Sequence, residues 1–462
     1  MEIQTIEISK YKYNKELDNI PNLKNPKDFI QTKILELVKD IITVHHPIVT
    51  KDNDQMYLYY AGYYHIDGDK DIRTICGAYF GDYYATSHKD NIVERIKAVS
   101  TINREDFCES GTYINLMNGV LNIETLELLP HDYKYNFLYK IPINYNPDIK
   151  FDKLHKFLSE ATSNNDDLLC LQEFIGYTLY PTYRLNDLDK FLIIFGKQGH
   201  NRKTKTCNLI TKLLHDCNVS SSELQRLAED KFECSMLYGK KANIRNDIPN
   251  TVLKTTGIIK NLVGSDKITA QRKNEKQFQF YNTAKLIFSC NELPEVKDSS
   301  YAWWTKVILL EFVNDFRHEN SLIMEELTNE EGLTAALNFA LEGLQRLIKN
   351  KTFTYNFDTT EERWNDGRLT KNPLSEFFNS RVIIDKQSKV TKANLYKEYT
   401  LWNNTPTQFT IRKFGDCIRT LNIEECRIGI DEAWNGIKIN PISIMEQEVI
   451  NIFRNYDEIG EQ

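Results

Sequence analysis

The sequence lacks the features of a secreted, disulfide-bonded or membrane-spanning protein. None of its nine cysteines stands in a C-x-x-C pair, and Cys170, Cys207 and Cys290 lie inside apolar runs, so we expect reduced core thiols rather than disulfides or a zinc site. No apolar run approaches the roughly 20 residues that span a bilayer, and the first ten residues lack the apolar core of a signal peptide. These absences predict an intracellular, cytoplasmic protein.

An excess of positive charge is also missing. The formal net charge is −7 over 462 residues, so any contact with nucleic acid must be local rather than spread over a basic surface. With 41% hydrophobic and 27% charged residues, the composition is typical of a globular protein, and the length allows two to four domains.

The stretch from Phe191 to Phe316 carries the strongest functional signal. A short apolar run, Phe191–Phe195, predicts a buried strand, and the loop GKQGHNRKT (196–204) leads from it into an amphipathic helix. Such a loop directs backbone N–H groups and a helix dipole at an anion. We therefore predict a nucleotide-binding loop in which Lys203 reaches the outer phosphates and Thr204 holds Mg²⁺; its residues are Gly196, Gly199, Asn201, Arg202, Lys203 and Thr204.

This loop departs from the usual phosphate-loop spacing. Five residues rather than four separate Gly196 from Arg202, which occupies the place of the second glycine. A frame that starts at Gly199 and ends in Lys205-Thr206 restores the spacing but leaves almost no helix before the apolar face. We prefer the Lys203 frame, because counting from Lys203 places on one helix face Leu209, Ile210, Leu213 and Leu214.

Two later strands are predicted to end in polar residues. The first ends in Asn246-Asp247, where Asp247 would bind Mg²⁺ together with Thr204 and orient the attacking water, and Asn246 would accept a hydrogen bond from metal-bound water. The second ends in Asn291, which lies beside Asp247 if the strands follow a doubly wound order and can then sense the γ-phosphate.

A basic tip lies between two strand-like arms before the Asn291 strand. Its cations are Arg272, Lys273 and Lys276, which can reach a phosphate backbone. A charged hairpin tip is also common as a merely solvated turn, and these residues alone do not separate the two interpretations.

We expect the rest of the chain to form domains on either side of this central stretch. We expect an N-terminal α+β domain over 1–150, with a helix near Ile30–Ile42 and hairpins at Ala61-Gly62 and Asn118-Gly119; Asp67 and Asp69 are attributed to turn chemistry rather than a metal site. A helical collar (151–185), interrupted by a polar loop at 163–167, precedes the ATPase domain (186–320). A helical connector and linker (321–371), a winged-helix-like domain (372–440) and a helical tail (441–462) follow it. In the winged-helix-like domain we expect three helices, the second over 392–402 and the third over 410–421, and then two strands through Ile428 and Ile437. The third helix carries the candidate DNA-binding residues Arg412, Lys413 and Arg419, although an ordinary helical cap fits nearly as well.

Several motifs together resemble superfamily 3 helicases, specifically the C-terminal half of the poxvirus-type and phage or plasmid primase-helicases. The resemblance covers about residues 50–320 and is weak in the last quarter. Its motifs, in family order, are NGVLNI (118–123), KIPINYNP (140–147), QEFIGY (172–177), NRKT (201–204), ANIRNDIP (242–249), ITAQRK (268–273), AKLIFSCNELP (284–294) and the strand that contains Trp304, predicted over 301–316.

This resemblance implies an α/β fold with an AAA+ type P-loop ATPase domain, ATP and Mg²⁺ as cofactors, and a ring, usually a hexamer, around DNA. It also implies that each ATP site lies at a subunit interface and that the hairpin of Arg272, Lys273 and Lys276 points into the channel. The primase domain of many relatives is expected to be missing, since only some 50 residues precede the matching region.

Three positions depart from the family pattern. Arg202 replaces a loop glycine, Asn246 stands where many relatives have Asp, and Thr305-Lys306 replaces a common Arg-Arg pair. Relatives use an arginine that acts on the ATP site of the neighbouring subunit. Here Lys306 is the candidate for that role, and Arg317 is a second candidate.

The function predicted from these motifs is an ATP-dependent replicative DNA helicase of a virus or plasmid, acting in the host cytoplasm. Because of the three departures, a weakly hydrolysing or non-hydrolysing ring that recognises an origin or loads other proteins is the alternative. A nucleotide-dependent packaging or partition ATPase is a third possibility.

Overall fold

The structure, a computed structural model, describes residues 10–107, 112–180, 188–197, 199–264, 266–272, 277–298, 300–320, 322–369, 377–378, 380–402, 411–419 and 423–440. The chain divides into two compact units, Met1–Glu361 and Glu362–Gln462, which are described separately. The expected tail over 441–462 lies outside the described residues. None of the helices in the described ranges is long and apolar enough to cross a bilayer.

The first unit begins with a module of three helices on a four-stranded sheet. Its elements are α1 (Pro26–His45), β1 (Ile48–Thr50), β2 (Met56–Tyr60), β3 (Tyr63–His65), α2 (Gly68–Phe80), α3 (Thr86–Val99) and β4 (Thr101–Ile102). The strand order is β3-β2-β1-β4, with β1 antiparallel to β2 and parallel to β4. The predicted first helix and the predicted hairpin of β2 and β3 are thus confirmed.

Asp67 and Asp69 differ from their predicted setting in a turn. Asp67 is the residue that precedes α2, and Asp69 lies in the first turn of that helix. Carboxylates are favourable there because the N-terminal end of a helix carries partial positive charge.

A small sheet and two helices connect this module to the centre of the unit. They are β5 (Tyr113–Leu116), β6 (Gly119–Asn122), β7 (Leu128–Leu129), α4 (Asp152–Ser159) and α5 (Asn165–Leu179). The second predicted hairpin is confirmed, although Leu116 pairs with Gly119, so that its turn consists of Met117 and Asn118. The side chain of Asn164 accepts a hydrogen bond from the Asp167 N–H at 2.9 Å, and α5 therefore begins inside the segment predicted as a loop.

A five-stranded parallel sheet forms the centre of the first unit. The elements of this region are β8 (Phe191–Phe195), α6 (Lys203–Leu214), β9 (Val219–Ser220), α7 (Leu224–Glu229), α8 (Lys231–Ser235), β10 (Ala242–Arg245), α9 (Gly257–Val263), β11 (Lys267–Gln271), β12 (Gln277–Tyr281), β13 (Lys285–Cys290), α10 (Tyr301–Trp304) and β14 (Val307–Glu311). The order is β14-β8-β13-β10-β9, and β11 and β12 form a separate antiparallel hairpin. Every residue of β8 and β13 is buried, as expected for parallel strands covered on both faces.

This strand order determines where the predicted site residues meet. Because β13 lies between β8 and β10, the carboxyl ends of these three parallel strands share one edge of the sheet. The phosphate-loop candidate follows β8, Asn246-Asp247 follow β10, and Asn291 follows β13. The edge therefore collects three segments that are far apart in sequence.

Two segments differ from their predicted secondary structure. The stretch from Tyr301 to Phe316, predicted as a strand, begins with the short helix α10, whose Trp303 is buried, and only then continues as β14. After α11 (Ile323–Thr328) and α12 (Glu330–Asn350), the predicted linker contains α13 (Thr360–Leu369). In addition, short 3₁₀ helices occupy Lys15–Asn22, Gly81–Tyr83, Arg104–Asp106, Tyr133–Tyr135, Asp216–Asn218 and Phe357–Thr359.

Besides most of α13, the second unit contains a three-stranded antiparallel sheet with two helices next to it in the sequence. They are β15 (Val382–Thr391), α14 (Lys392–Trp402), α15 (Ile411–Arg419), β16 (Glu425–Ile428) and β17 (Asp431–Ile439), with strand order β15-β17-β16. Aromatic residues dominate its core, among them Phe377, Tyr399, Phe414 and Trp434. The last two helices and the final two strands were predicted, β15 was not, and the winged-helix arrangement stays a prediction.

Candidate functional site

The loop between β8 and α6 is built on a close contact at Gly196. A Cβ at this position would lie 1.9 Å from Asn201 Nδ2 and 2.8 Å from the Phe312 carbonyl oxygen, so only glycine fits. Asn201 Nδ2 donates a hydrogen bond to that same carbonyl at 3.2 Å. This hydrogen bond ties the loop to the end of β14.

Arg202 takes the backbone conformation that glycine would provide in the usual loop. Its φ is 66°, in the left-handed region, which costs a non-glycine residue about 1–2 kcal/mol. Its side chain leaves the loop and is only 7% exposed. The guanidinium lies 3.5 Å from the ring centroid of Phe316, donates to the Phe157 carbonyl at 2.6 Å and forms ion pairs with Glu160 at 3.1 Å and Glu319 at 2.5 Å. Arg202 therefore fixes the loop through contacts with residues outside it, and its side chain does not fill the loop.

Lys203 points into the loop at the first turn of α6. Its Nζ donates to the Gly196 carbonyl at 2.9 Å, to Asn201 Oδ1 at 2.8 Å and to Asn291 Oδ1 at 2.9 Å. The residue is 4% exposed, so a buried ammonium is held among neutral oxygens at the N-terminus of a helix. These hydrogen bonds link the end of β8 to the end of β13.

Asn291 connects Lys203 to Asp247. Its Nδ2 donates to Asp247 Oδ1 at 3.3 Å, and Asp247 is exposed at the edge of the sheet. Asp247 has a φ of 51°, and its N–H lies 3.4 Å from Ser289 Oγ. Lys203, Asn291 and Asp247 thus form a continuous line across the carboxyl ends of three strands.

These residues line a pocket of about 320 Å³. Its wall consists of Gly199, His200, Asn201, Arg202, Lys203, Thr204, Lys205, Asp247, Asn291 and Phe316. Thr204 is exposed in the first turn of α6, whereas Thr206, the hydroxyl of the rejected frame, is fully buried. Lys205, the lysine of that frame, forms an ion pair with Glu319.

Asn246 lies next to this pocket but outside its wall. Its Oδ1 accepts a hydrogen bond from Ser289 Oγ at 3.1 Å.

Cys207, which is hydrogen-bonded to Ser289, is fully buried. Burial raises the pKa of its thiol to about 12, so this cysteine stays protonated and is not a nucleophile at neutral pH.

Lys306 lies at the opposite end of the sheet. Its carbonyl accepts a hydrogen bond from Phe191 N–H at the start of β8, and its ammonium forms an ion pair with Asp189. Arg317 lies beside the pocket residue Phe316 and binds Asp315 Oδ2 through Nη2 at 2.6 Å. Within one chain, therefore, Lys306 does not reach the pocket.

The candidate DNA-binding residues are only partly covered by the described chain. The two predicted arms are β11 and β12, and Arg272 follows β11 with its guanidinium 5.8 Å from the ring centroid of Phe278. Lys273 and Lys276 lie outside the described residues, as do the side chains of Arg412 and Lys413. Arg419 is exposed and donates to Glu425 Oε1 at 2.6 Å.

The pocket has the chemistry of an anion site with room for a divalent cation. Lys203 and the N-terminus of α6 favour phosphate oxygens, and the Thr204 hydroxyl and Asp247 carboxylate offer the oxygen ligands that Mg²⁺ prefers. Among the described residues no group of three or more His, Cys, Asp or Glu could hold a metal, so Mg²⁺ would depend on one carboxylate, the threonine and ligand phosphates. The residues present thus fit MgATP.

Sequence patterns did not identify the residues that support the loop. Glu160, Phe316 and Glu319 come from segments before β8 and after β14, and neither their residue types nor their spacing in the sequence is unusual. The one available signal was the unusual Arg202, since a long cation in a glycine position needs partners elsewhere.

Comparison with known proteins gives two family matches. Residues 18–163 match the family described as "D5 N terminal like", and residues 194–301 match "Family of unknown function (DUF5906)". The first covers most of the N-terminal module and α4, and the second covers the pocket residues from the loop after β8 to Asn291.

One curated relative and two solved structures show how far the similarity extends. The chain is 23% identical over 368 residues to "Putative helicase 121R" of Invertebrate iridescent virus 3, a match that covers 70% of this chain and 38% of that protein. The chain thus spans well under half of the relative's length. The solved structure "The A form apo structure of NrS-1 C terminal region-CTR" is 13% identical to this chain with a TM-score of 0.43, and the match covers 84% of this chain and 95% of that one. The structure "The apo structure of NrS-1 C terminal region (305-718)" is 12% identical with a TM-score of 0.43, and the match covers 88% of this chain and 99% of that one.

The N-terminal part of the chain is thus similar to the family described as "D5 N terminal like", and the viral relative is named a putative helicase. Membership of superfamily 3 stays a prediction.

Proposed function

We propose that this chain is the motor of a viral replication helicase, which hydrolyses ATP to move along DNA. The observation that carries the proposal is the line of hydrogen bonds from Lys203 through Asn291 to Asp247 along the wall of a 320 Å³ pocket. The helicase-named relative and the D5 N terminal like match support the same class of activity.

Each pocket residue has a distinct role in this proposal. Lys203 and the N–H groups at the start of α6 bind the phosphates, and Thr204 and Asp247 hold Mg²⁺. Asp247 orients the attacking water, and Asn291 donates a hydrogen bond toward the γ-phosphate. ATP, when bound, supplies a phosphoanhydride whose hydrolysis is the source of free energy.

We propose a ring, most simply a hexamer, as the working assembly. Lys306 lies at the end of the sheet opposite the pocket, so it can contribute to catalysis only in a neighbouring subunit's site, and it would first have to leave Asp189. The β11–β12 hairpin, with Arg272 at the end of its first arm, would face the DNA.

The proposal is tested by ATP hydrolysis with and without single-stranded DNA. We expect DNA-stimulated hydrolysis by the unmodified chain, loss of hydrolysis in Lys203→Ala and Asp247→Ala, and unwinding of a forked duplex. Hydrolysis that survives both substitutions would contradict the assignment of the site.

A second candidate is a DNA-binding ring that binds ATP but hydrolyses it slowly or not at all. Two observations favour it: Asn246, in the place of a second carboxylate, is hydrogen-bonded to Ser289, and Lys306 is paired with Asp189. This candidate predicts ATP-dependent DNA binding without DNA-stimulated turnover, so the same assay separates the two.

A further inference from the structure

A second pocket lies between the N-terminal module and the β11–β12 hairpin. Its volume is about 440 Å³, larger than that of the nucleotide pocket. Lys51, Asp52, Asn103 and Arg104 line it from the N-terminal module, and the hairpin contributes Lys267, Thr269, Gln277, Phe278 and Gln279. None of these residues belongs to the nucleotide pocket described above.

Arg104 builds the rigid floor of this second pocket. Its guanidinium binds both carboxylate oxygens of Asp52, at 2.7 and 3.0 Å, and also donates to Asn53 Oδ1 at 2.6 Å. It lies 4.8 Å from the ring centroid of Tyr238 and 5.0 Å from that of Phe278. Arg104 therefore fixes the base of the hairpin against the N-terminal module.

The charge of the pocket is positive although the chain as a whole is negative. Burial alone would raise the pKa of Asp52, but its hydrogen bond and ion pair with Arg104 hold that pKa below the usual range, so the Asp52 charge stays and compensates Arg104. The lining thus contains three cationic side chains, Lys51, Arg104 and Lys267, and one carboxylate, Asp52. Lys51 is exposed and donates to the neutral Asn103 Oδ1 at 3.2 Å. Lys267 is exposed on the hairpin, with its ammonium 5.5 Å from the ring centroid of Tyr281.

Neutral hydrogen-bonding side chains fill the space between the two lysines. Thr269, Gln277 and Gln279 alternate with buried residues and so share the solvent face of the hairpin. Lysine, glutamine, asparagine and threonine are side chains that contact phosphate and sugar without reading sequence. The nine residues of this wall include no glycine-rich loop, so its chemistry differs from that of the nucleotide pocket.

We infer that this pocket binds the backbone phosphates of a single DNA strand and holds that strand between the N-terminal module and the base of the hairpin. The inference rests on the proposed action on DNA and adds a DNA-binding surface from the N-terminal module. The strand would then pass along Lys51 and Lys267 in the pocket and on toward Arg272, which follows β11.

The test measures binding of fluorescein-labelled oligo-dT to the full chain by anisotropy over a series of salt concentrations. Lys51→Gln/Lys267→Gln should weaken binding about tenfold or more at low salt. The slope of the logarithm of the DNA association constant against the logarithm of the salt concentration should become less negative by about 1.4. This is about 0.7 for each phosphate that a lysine no longer neutralises. The matched control is Lys70→Gln/Lys134→Gln, which removes two exposed lysines of the same unit outside the pocket and should bind as the unmodified chain does.

Two further comparisons make the result decisive. Lys51→Arg/Lys267→Arg keeps the charge and should restore most of the binding, which excludes a folding defect. Unchanged oligo-dT affinity in the glutamine variant, or a larger loss for duplex than for single-stranded DNA, would overturn the inference.

ATP hydrolysis by the unmodified chain separates this inference from the proposed function. If the chain binds DNA through Lys51 and Lys267 but hydrolyses no ATP, the motor proposal fails and the strand site stands. If it hydrolyses ATP but the glutamine variant binds DNA normally, only the strand site fails. If the unmodified chain binds no DNA, the inference is overturned directly.

Discussion

At the scale of single residues, Arg202 explains how the irregular loop between β8 and α6 keeps its shape. The left-handed backbone at this position is unfavourable for arginine, and the buried guanidinium offsets that cost through Glu160, Glu319 and two aromatic rings. The side chain thereby connects the loop to α4 on one side and to the segment after β14 on the other. The loop conformation depends on these distant partners rather than on glycine alone.

Removal of this side chain should therefore destabilise the first unit. We expect Arg202→Ala to lower the free energy of unfolding by about 3 kcal/mol, because it leaves Glu319, whose side chain is 8% exposed, with one cation fewer. Arg226→Ala is the control, since Arg226 is 66% exposed, pairs with Glu223 and Glu233, and should cost less than about 1 kcal/mol. Chemical denaturation compares them, and equal losses of stability would show that the Arg202 interactions contribute little.

Asn291 should act mainly on turnover. Asn291→Ala removes the amide between Lys203 and Asp247, so under the proposed function we expect ATP turnover to fall on the order of 10²-fold with a much smaller change in KM. Asn250→Ala is the control because Asn250 is exposed and binds Glu292 outside the pocket. Steady-state kinetics gives both constants; an effect confined to KM would mean that Asn291 only binds substrate.

Asp71 provides a pH-dependent test of the N-terminal module. Burial raises the pKa of Asp71 to about 6, above its usual value of 3.8, so the folded state favours the protonated acid. The stability that protonation provides is complete below pH 3.8 and is lost as the pH rises through 6. At pH 7, Asp71→Asn should stabilise the protein by about 1 kcal/mol, since solvent screens part of the effect at this half-buried side chain.

Thermal unfolding at two pH values measures this effect. The Asp71→Asn variant should unfold about 2 °C higher than the unmodified chain at about pH 7, and the difference should vanish near about pH 4. A difference of the same size at both pH values would show that the substitution acts through packing instead of ionisation.

At the scale of elements, the contact between α5 and α12 supports the sheet. The two helices approach so closely that a Cβ at Gly176 would lie 2.2 Å from the Ala340 carbonyl oxygen, and one at Gly343 would lie 2.4 Å from the Gln172 carbonyl oxygen. Each glycine thus accepts the backbone of the other helix. The same interface contains the fully buried Glu173, which binds Arg346 at 2.7 Å.

A methyl group at this crossing should be costly. We expect Gly343→Ala to destabilise the first unit by about 1–3 kcal/mol, because the helices must separate to admit it. The control is Gly77→Ala in α2, where no atom lies within 4 Å of the added Cβ and the better helix propensity of alanine should stabilise by about 0.5–1 kcal/mol. Denaturant titration of both variants gives the signs; two stabilising substitutions would contradict the close crossing.

Element types could be predicted where the apolar pattern was strong and local. Phe191–Phe195 and Lys285–Cys290 are largely apolar strands, and α1 and α6 carry clear helical periodicity, so their positions follow from the sequence. The prediction was wrong at α10 because four aromatic-rich residues before β14 resemble a strand. It missed β15 because its Val382–Thr391 sequence is largely polar and exposed.

At the scale of the whole molecule, the strand order brings distant segments into one pocket. The sequence indicated that Lys203, Asp247 and Asn291 follow strands, and β13 between β8 and β10 explains why their side chains form one line. The ion pairs of Arg202 and the docking of the hairpin through Arg104 could not be predicted, since they join segments that are distant in sequence and share no periodic pattern.

The first unit thus offers two pockets of different chemistry. One has a buried ammonium, a helix N-terminus and a carboxylate, and the other has lysines and neutral amides beside a hairpin. Under the two proposals above, the first pocket would bind the nucleotide and the second would bind the DNA strand.

The most direct measurement of the central claim is calorimetric titration of the chain with MgATP or a non-hydrolysable analogue. We expect binding with a dissociation constant in the range of about 1 μM to 1 mM, weakened about tenfold or more in Lys203→Ala and unchanged in Lys212→Ala, whose exposed lysine lies on the same helix and pairs with Asp216. An unmodified chain that binds no nucleotide, or equal affinity in Lys203→Ala, would contradict the account.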